Sequence, residues 1–595
     1  MKRSKLLNRL TIACLAFLSM AASAEVSVNF TGFIRQETSS LIGNPNVYNE
    51  THGNTFTGRP VTNSFGNTIT RDGKVREPDW PLFATRAELD FKFRFSDSWE
   101  GFVKVRGFYE WALDDEYDGL NHFETGFDDD RGSTLEVNGK DYMIDLPALY
   151  LDYNKGPLWL RIGNQQIAWG EALFFRVFDV VNGLDLRRHS FIDVAAEEYS
   201  DKRVPSLGIR GSYRFQNDWE LEGFVQRFRP SVFSSLDTAY NVIASQFVVH
   251  QEEGWDDHDD KFNFGARLTG RAGDFDLSFM AVQRYTPDGV FRYTESNVNP
   301  FVGVPGFEPV GALLAQTAFE INPDGVWSAQ EWFKYASRAR LDGIQGLNSS
   351  VAEFPAAGML AAFEIEPGIC GVLGIPDLRA CAAFELDAFF DPLAGGLGPL
   401  KGHITREFHK EEIFGVGFNY VFNGAPNSLL DQLILRVEAT MALDRKFTHI
   451  GLSRNYIEED EFVSNVSLEK YHRFNASFPA TYFVLQWMHK SESDMMGRHV
   501  SGFDNDGLAK GEDSFNAVAF ALQQPFPGLI WRADLAVLYD TNGGFLIQPG
   551  VRWRPSSNVQ LDIYANIIGS DGGNDDVMQT FEDMDEIFGR LTFYF

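Results

Sequence analysis

The stretch AELDFKFRFSDSWEGFVKVR, residues 87–106, reads as two strands joined by a tight turn. Ala87, Leu89, Phe91, Phe93 and Phe95 fall on one side of an extended chain, with Glu88, Asp90, Lys92 and Arg94 on the other. Successive side chains of a strand point to opposite faces, so a two-residue period describes a ribbon lying between an apolar and a polar medium. After the turn Ser96-Asp97-Ser98, Val103 and Val105 alternate with Lys104 and Arg106. The same alternation recurs at Leu433–Met441, Leu529–Asp540 and Val559–Ile567.

A soluble sandwich alternates as well, so other features must decide between it and a membrane barrel. The strands run to ~10–13 residues, longer than the ~5–6 usual in soluble sheets and matched to a tilted membrane strand. Very short connections (Asn154-Lys155-Gly156, Gln216-Asn217-Asp218, Ala272-Gly273-Asp274, Pro555-Ser556-Ser557) alternate with loops of roughly 15–120 residues, the arrangement of outer-membrane barrels. Trp80, Trp99, Trp111, Trp159, Trp219, Trp531 and Trp553 gather near strand ends, where a ring can be dry while its N–H stays wet. Ile587, Gly589, Leu591, Phe593 and Phe595 share one face of the last strand. An aromatic end of this kind, with Leu591, Phe593 and Phe595, resembles the signal by which outer-membrane barrels are recognised for assembly. The expectation is an all-β transmembrane antiparallel barrel of about 18 strands, the first near 26–37 and the last near 585–595. Sixteen strands is the alternative, because 466–476 has the weakest pattern. A barrel of that size has room for a lumen unless loops fill it.

Lys2, Arg3, Lys5 and Arg9 precede an apolar run from Leu10 to Ala22, and Ala22-Ser23-Ala24 supplies small residues for cleavage before Glu25. Residues 1–24 are therefore expected to be a signal peptide and 25–595 the barrel. Cys14 lacks the context of a lipoprotein signal, since Thr11 stands where Leu is wanted. Losing the four basic residues of the signal peptide takes the formal net charge of the 595-residue chain from −31 to −35. Such acidity leaves little with which to neutralise phosphates, so nucleic acid is not an expected partner. Cys370 and Cys381 remain in the exported chain, and a disulfide is expected there over two reduced thiols.

Residues 146–187 contain R-x-G-x-Q-x-x-x-W-G-E followed by V-N-x-L-D, in which Arg161, Gly163, Gln165, Trp169, Gly170, Glu171, Asn182, Leu184 and Asp185 are the matching positions. The motif resembles a large family of proteobacterial outer-membrane proteins that share a domain of unknown function. Members are often encoded beside efflux-type inner-membrane transporters or near genes for catabolism of hydrophobic compounds. The resemblance implies an outer-membrane barrel handling small hydrophobic molecules, with periplasmic or inner-membrane transport components as partners. Members commonly carry Pro after the Asn, where this chain has Gly183.

Trp159, Arg161, Gly163 and Gln165 are expected to face the lumen, and Leu158, Leu160 and Ile162 the lipid. Gly163 would then let an infolded loop approach the wall closely. The following loop, with Trp169, Glu171, Leu173, Phe174, Phe175 and Val177, is too apolar for water. Residues 168–200 therefore either form a constriction inside the barrel or merely cap it. Arg161, Gln165, Trp169, Glu171, Phe174, Phe175, Asn182 and Asp185 are the candidate substrate-path residues. The long insertion 286–409 has Ala-, Leu- and Phe-rich segments with helical spacing (310–319, 327–341, 351–365, 378–390). It is read as a partly helical cap pinned by its cysteines, or as a lid over hydrophobic substrate.

Polar positions on the strands mix both charges, as in Glu88, Lys104, Arg106, Arg532, Asp534, Arg552 and Asp562, which suggests paired charges lining the interior. The acidic loops, including Glu458–Glu461, lack the spacing of a calcium loop, and no metal or cofactor site is expected. The 11 histidines form neither H-E-x-x-H nor a nucleophile motif, and His489 with Ser491 is too local for a lipase pair. No catalytic residue is expected. The reading is an outer-membrane channel or transporter for hydrophobic or amphipathic organic molecules. A general or ion-selective porin and an outer-membrane lipase or esterase are the alternatives. Lipid, lipopolysaccharide and the barrel-assembly machinery complete the expected partners.

Overall fold

A computed structural model describes residues 26–42, 60–70, 82–111, 135–187, 202–233, 247–250, 260–359, 364–501, 512–570, 577–581 and 584–595. The proposed signal peptide lies outside them. Long strands follow one another as β1 (Ser27–Leu41), β2 (Leu82–Arg94), β3 (Trp99–Glu110), β4 (Tyr142–Lys155), β5 (Leu158–Gln165) and β6 (Ser206–Arg214). Next come β7 (Glu220–Arg227), β8 (Phe262–Ala272), β9 (Phe275–Tyr285), β10 (Lys410–Val421), β11 (Ile434–Phe447) and β12 (Ile457–His472). The last six are β13 (Thr481–Lys490), β14 (Phe515–Pro525), β15 (Trp531–Asp540), β16 (Phe545–Trp553), β17 (Val559–Gly569) and β18 (Glu586–Tyr594). Each pairs antiparallel with its sequence neighbours, and β1 pairs with both β2 and β18, so eighteen strands close into a barrel, with the short strand Glu136–Asn138 added against β4. The weakest expected strand, near 466–476, is the C-terminal half of β12.

Alternation sets the two faces. Phe30, Ile162, Phe414, Val416, Ile563 and Phe593 stand about half exposed on the outer wall, as do Leu158 and Phe595. So continuous an apolar belt fits lipid and not water. Leu591, Phe593 and Phe595 all lie on it. Trp531 and Trp553 meet at 6.0 Å, and Trp99 and Tyr153 at 4.9 Å, beside the short connections. Trp159 points inward, among the guanidinium groups of Arg161 and Arg210. Inner charges are paired across or along strands: Lys104 with Glu88 at 3.1 Å, Arg532 with Asp534 at 2.8 Å, Arg552 with Asp562 at 2.6 Å.

Connections at one end run from two residues (156–157, 273–274) to twelve (422–433), and the other end carries the long loops. One tight turn departs from the expected segregation, because Thr541–Gly544 joins β15 to β16 among the long loops. Gly543, at φ 113°, makes that reversal feasible.

Gly163 does something other than admit a loop. Its φ is 140°, and a Cβ there would sit 2.2 Å from the Leu149 carbonyl oxygen of the neighbouring strand β4. Close approach within the wall, not between wall and loop, explains this glycine. Gly163→Ala is expected to cost about 1–3 kcal/mol from backbone strain alone, read as a lower urea midpoint for barrel unfolding.

The insertion 286–409 is a small folded cap. It contains α1 (Glu308–Leu314), α2 (Ala329–Arg338), α3 (Gly343–Ala352), α4 (Pro367–Val372) and α5 (Leu378–Phe390). The expected helices at 327–341 and 378–390 are present. By contrast, 310–319 is helical only to Leu314, and the described part of 351–365 is mostly turn. Four short strands, Phe247–His250, Val290–Tyr293, Phe319–Val326 and Leu400–Glu407, add a sheet that the helical spacing did not suggest. Helix α2 starts where the Ser328 hydroxyl accepts the Glu331 N–H, and α5 where Asp377 accepts that of Ala380. Both bury Phe333, Leu386 and Phe390 in one apolar core.

Cys370 on α4 and Cys381 on α5 are joined in that core by a disulfide with Cα atoms 5.7 Å apart. Replacing both by Ser is expected to cost the cap about 3 kcal/mol, seen as faster proteolysis within 364–400 while the barrel stays intact. Glu385 on α5 is buried with one oxygen unpartnered, and burial pushes its carboxyl up to about 7 from an ordinary 4.5. As pH rises between these values the unfolded chain ionises first, so the cap loses stability across that window. Glu385→Gln is expected to flatten the pH dependence of cap proteolysis between pH 5 and 8, leaving the variant the more resistant at pH 8.

Candidate functional site

Beyond β5 the chain turns into the barrel, and residues 166–187 cross the lumen. Trp169 is buried edge-on to Phe224 at 5.2 Å, and its indole N–H donates to Glu222 of β7. Arg267 of β8 donates to the Trp169 carbonyl at 3.1 Å. Farther along, the Glu171 N–H donates to Glu438 of β11 at 2.6 Å, and the Phe174 N–H to Gln486 of β13 at 2.8 Å. The Glu171 carboxylate accepts from Asn419 at 2.7 Å and from Arg436. Arg284 of β9 donates to the Val180 carbonyl. Gly415 and Gly417 leave a trough on the inner face of β10 that the Phe178 ring fills. Inner-wall polar groups thus satisfy the backbone of a non-repetitive segment that would otherwise be buried unpaired.

Four candidate residues serve as its frame. Asn182 accepts the Ile167 N–H at 2.7 Å and donates to the Val204 carbonyl at 2.8 Å, tying both ends of the segment together. Gln165 donates to the Gly208 carbonyl at 3.1 Å. Asp185 pairs at 2.9 Å with Arg187, which also holds Glu136 at 2.6 Å, all three buried. Arg161 stays in the wall, bidentate to Asp152 at 2.8 Å and 3.6 Å above the Tyr150 ring. Gly183 packs so tightly that a Cβ would lie 2.6 Å from the Ser231 nitrogen. A proline at this position would clash here. Residues 188–200 of the expected constriction lie outside the described residues.

Between infolded segment, cap and wall lies a cavity of about 420 Å³. Of the eight candidate residues only Phe174 and Phe175 line it. Ile413, Met488, Met495, Met496 and Met578 continue its apolar surface. Ionic groups line another part. Arg284 meets Glu411 at 2.5 Å, Arg445 lies between Glu411 (3.7 Å) and Glu461, and Lys490 is 3.4 Å from Glu461. Arg340 of the cap adds a pair with Asp494 at 2.9 Å. Sequence reading missed this group. Its signal was present in the inward phase of Arg284, Glu461 and Lys490, but a register shift between Ala442 and Arg445 is what turns Arg445 inward, and their convergence on one chamber was not legible. His489 stacks on Trp487 at 6.0 Å on the outer face, while the Ser491 hydroxyl accepts the Phe462 N–H, so the two do not form a pair.

Residues 6–595 match the family model described as a protein of unknown function, DUF1302. The chain belongs to this family. No curated protein matches it. Among solved structures it is similar to Acinetobacter baumannii OccAB1, at 7% identity and TM-score 0.41 with 96% of each chain covered. OccAB2 of the same organism gives 8% and 0.42, covering 96% of this chain and 98% of that one. Pseudomonas aeruginosa OccK3 gives 8% and 0.40, with 96% of each covered.

Proposed function

We propose that this DUF1302 protein is an outer-membrane conduit for amphipathic or hydrophobic organic molecules. The observation that carries the reading is the chamber inside the wall, greasy along Phe174, Met488 and Met495 and ionic along Arg284, Arg445 and Lys490. Such a lining suits a molecule with an apolar body and a polar end, since each part meets matching surface. A segment hydrogen-bonded across the lumen restricts bulk water, which favours selective passage over a general porin. Passage needs no covalent step, and no enzymatic activity is proposed. Lipid and lipopolysaccharide would surround the belt, the barrel-assembly machinery would insert it, and periplasmic or inner-membrane transport components would hand over the cargo.

The test compares uptake of a fluorescent fatty acid, a sterol and a small sugar in a deletion strain and its complemented parent. Faster equilibration of the fatty acid or sterol alone is the expected result. Acceleration of the sugar alone would establish a hydrophilic porin instead. Hydrolysis of a lipid ester, abolished by one Ser→Ala substitution, would overturn the conduit.

A further inference from the structure

At the loop rim of β12, Glu459 faces a hairpin formed by residues 491–501, which carries Glu492 and His499. One ligand atom from each of the three lies within 4.8 Å of the others. His499 Nε2 is 2.9 Å from a Glu459 oxygen and 4.0 Å from a Glu492 oxygen. We infer that Glu459, Glu492 and His499 form a binding site for one divalent transition-metal cation of the zinc class.

The donor chemistry is one imidazole nitrogen with two carboxylates, and the partly exposed glutamates leave a side open for water, as zinc accepts. Zinc–ligand lengths of about 2.0–2.1 Å place tetrahedral ligand atoms about 3.3 Å apart. The two measured separations fall on either side of that figure, so small side-chain rotations suffice. An all-oxygen preference makes calcium a poor match for the imidazole.

Charge balance points the same way. Among the described residues no Lys or Arg pairs with Glu459 or Glu492, while Lys446 is occupied with Glu458 at 3.0 Å. A divalent cation would neutralise Glu459 and Glu492.

The frame is already built. The Val500 N–H donates to the Glu492 carbonyl at 2.9 Å, and Ser493 and His499 form a bridge, which fixes the two hairpin ligands relative to each other. His499 is only 7% exposed. Ser501 offers both its hydroxyl and its N–H to His499 Nδ1. With Nε2 on a metal the ring takes the other tautomer: Nδ1 gives up the Ser501 N–H bond, carries the proton and donates it to that hydroxyl, the outer partner a ligating histidine requires.

Bound metal would fasten to the wall a hairpin whose Met495, Met496 and Arg498 line the chamber. Asp494 of the same hairpin is paired with Arg340 of the cap, so metal would join wall, hairpin and cap.

The experiment is Zn2+ titration of the full exported chain in detergent after chelator treatment, with Co2+ absorption as a second reading. One saturable Zn2+ per chain and tetrahedral Co2+ bands are expected, neither displaced by millimolar Ca2+. Glu492→Gln and His499→Gln should each weaken Zn2+ binding by at least the ~10–100-fold that loss of an outer partner alone costs. His250→Gln, in the imidazole pair with His403 on the cap, should leave it unchanged. Heat-modifiable gel migration checks that each barrel is closed, and either ligand variant alone decides the question. Absence of saturable binding, or full affinity in a folded ligand variant, would overturn the site.

Discussion

Deleting residues 172–180 is expected to raise single-channel conductance in planar bilayers by roughly tenfold or more, since an unfilled wall of this strand number encloses an aqueous channel. The deletion takes away Phe174, Phe175 and Phe178, together with the Phe174 N–H bond to Gln486 and the Val180 carbonyl bond to Arg284. Trp169, Asn182 and the Asp185–Arg187–Glu136 cluster stay, so the ends of the segment keep their anchors. Two short ends thus remain where a full crossing stood, and the glycine trough on β10 is left bare. Unchanged conductance from a correctly closed barrel would show that this segment does not limit the path.

The second large effect is on stability. Glu461 is buried and accepts from Arg445, Lys490 and the Ser493 hydroxyl. Glu461→Ala removes the negative partner of two buried cations, a change that costs about 3–5 kcal/mol because the charges left behind lack solvent. Equilibrium urea unfolding in lipid vesicles, followed by tryptophan fluorescence, should show that loss. The same variant should shift reversal potentials toward anion preference, since Glu411 alone would then face Arg284 and Arg445. A loss below about 1 kcal/mol would mean that water reaches the cluster and screens it.

Much of the wall was legible because a lipid-facing ribbon writes its environment into every second residue. Ala87–Phe95 and Val559–Ile567 announce both faces locally, and no distant contact is needed to read them. The infolded segment was legible only in outline. Phe174, Phe175 and Val177 declare that they must be buried, yet nothing in their spacing says against what. Gly163 illustrates the limit. A glycine on the inner face reads as room for a loop, whereas its positive φ and the Leu149 carbonyl beside it make it a feature of the wall.

The cap shows the same boundary. Helical spacing found α2 and α5, but the short strands Val290–Tyr293 and Leu400–Glu407 pair across more than a hundred residues, and single strands that short carry no period of their own. Glu459, Glu492 and His499 likewise come from a strand rim and both arms of a hairpin. Local order alone determined the strands, their two faces and the sides on which most turns fall, because each follows from solvent meeting alternate residues. Tertiary structure decided which groups share the chamber and where the infolded segment is held, because those depend on a closure that brings residues distant in sequence to one interior.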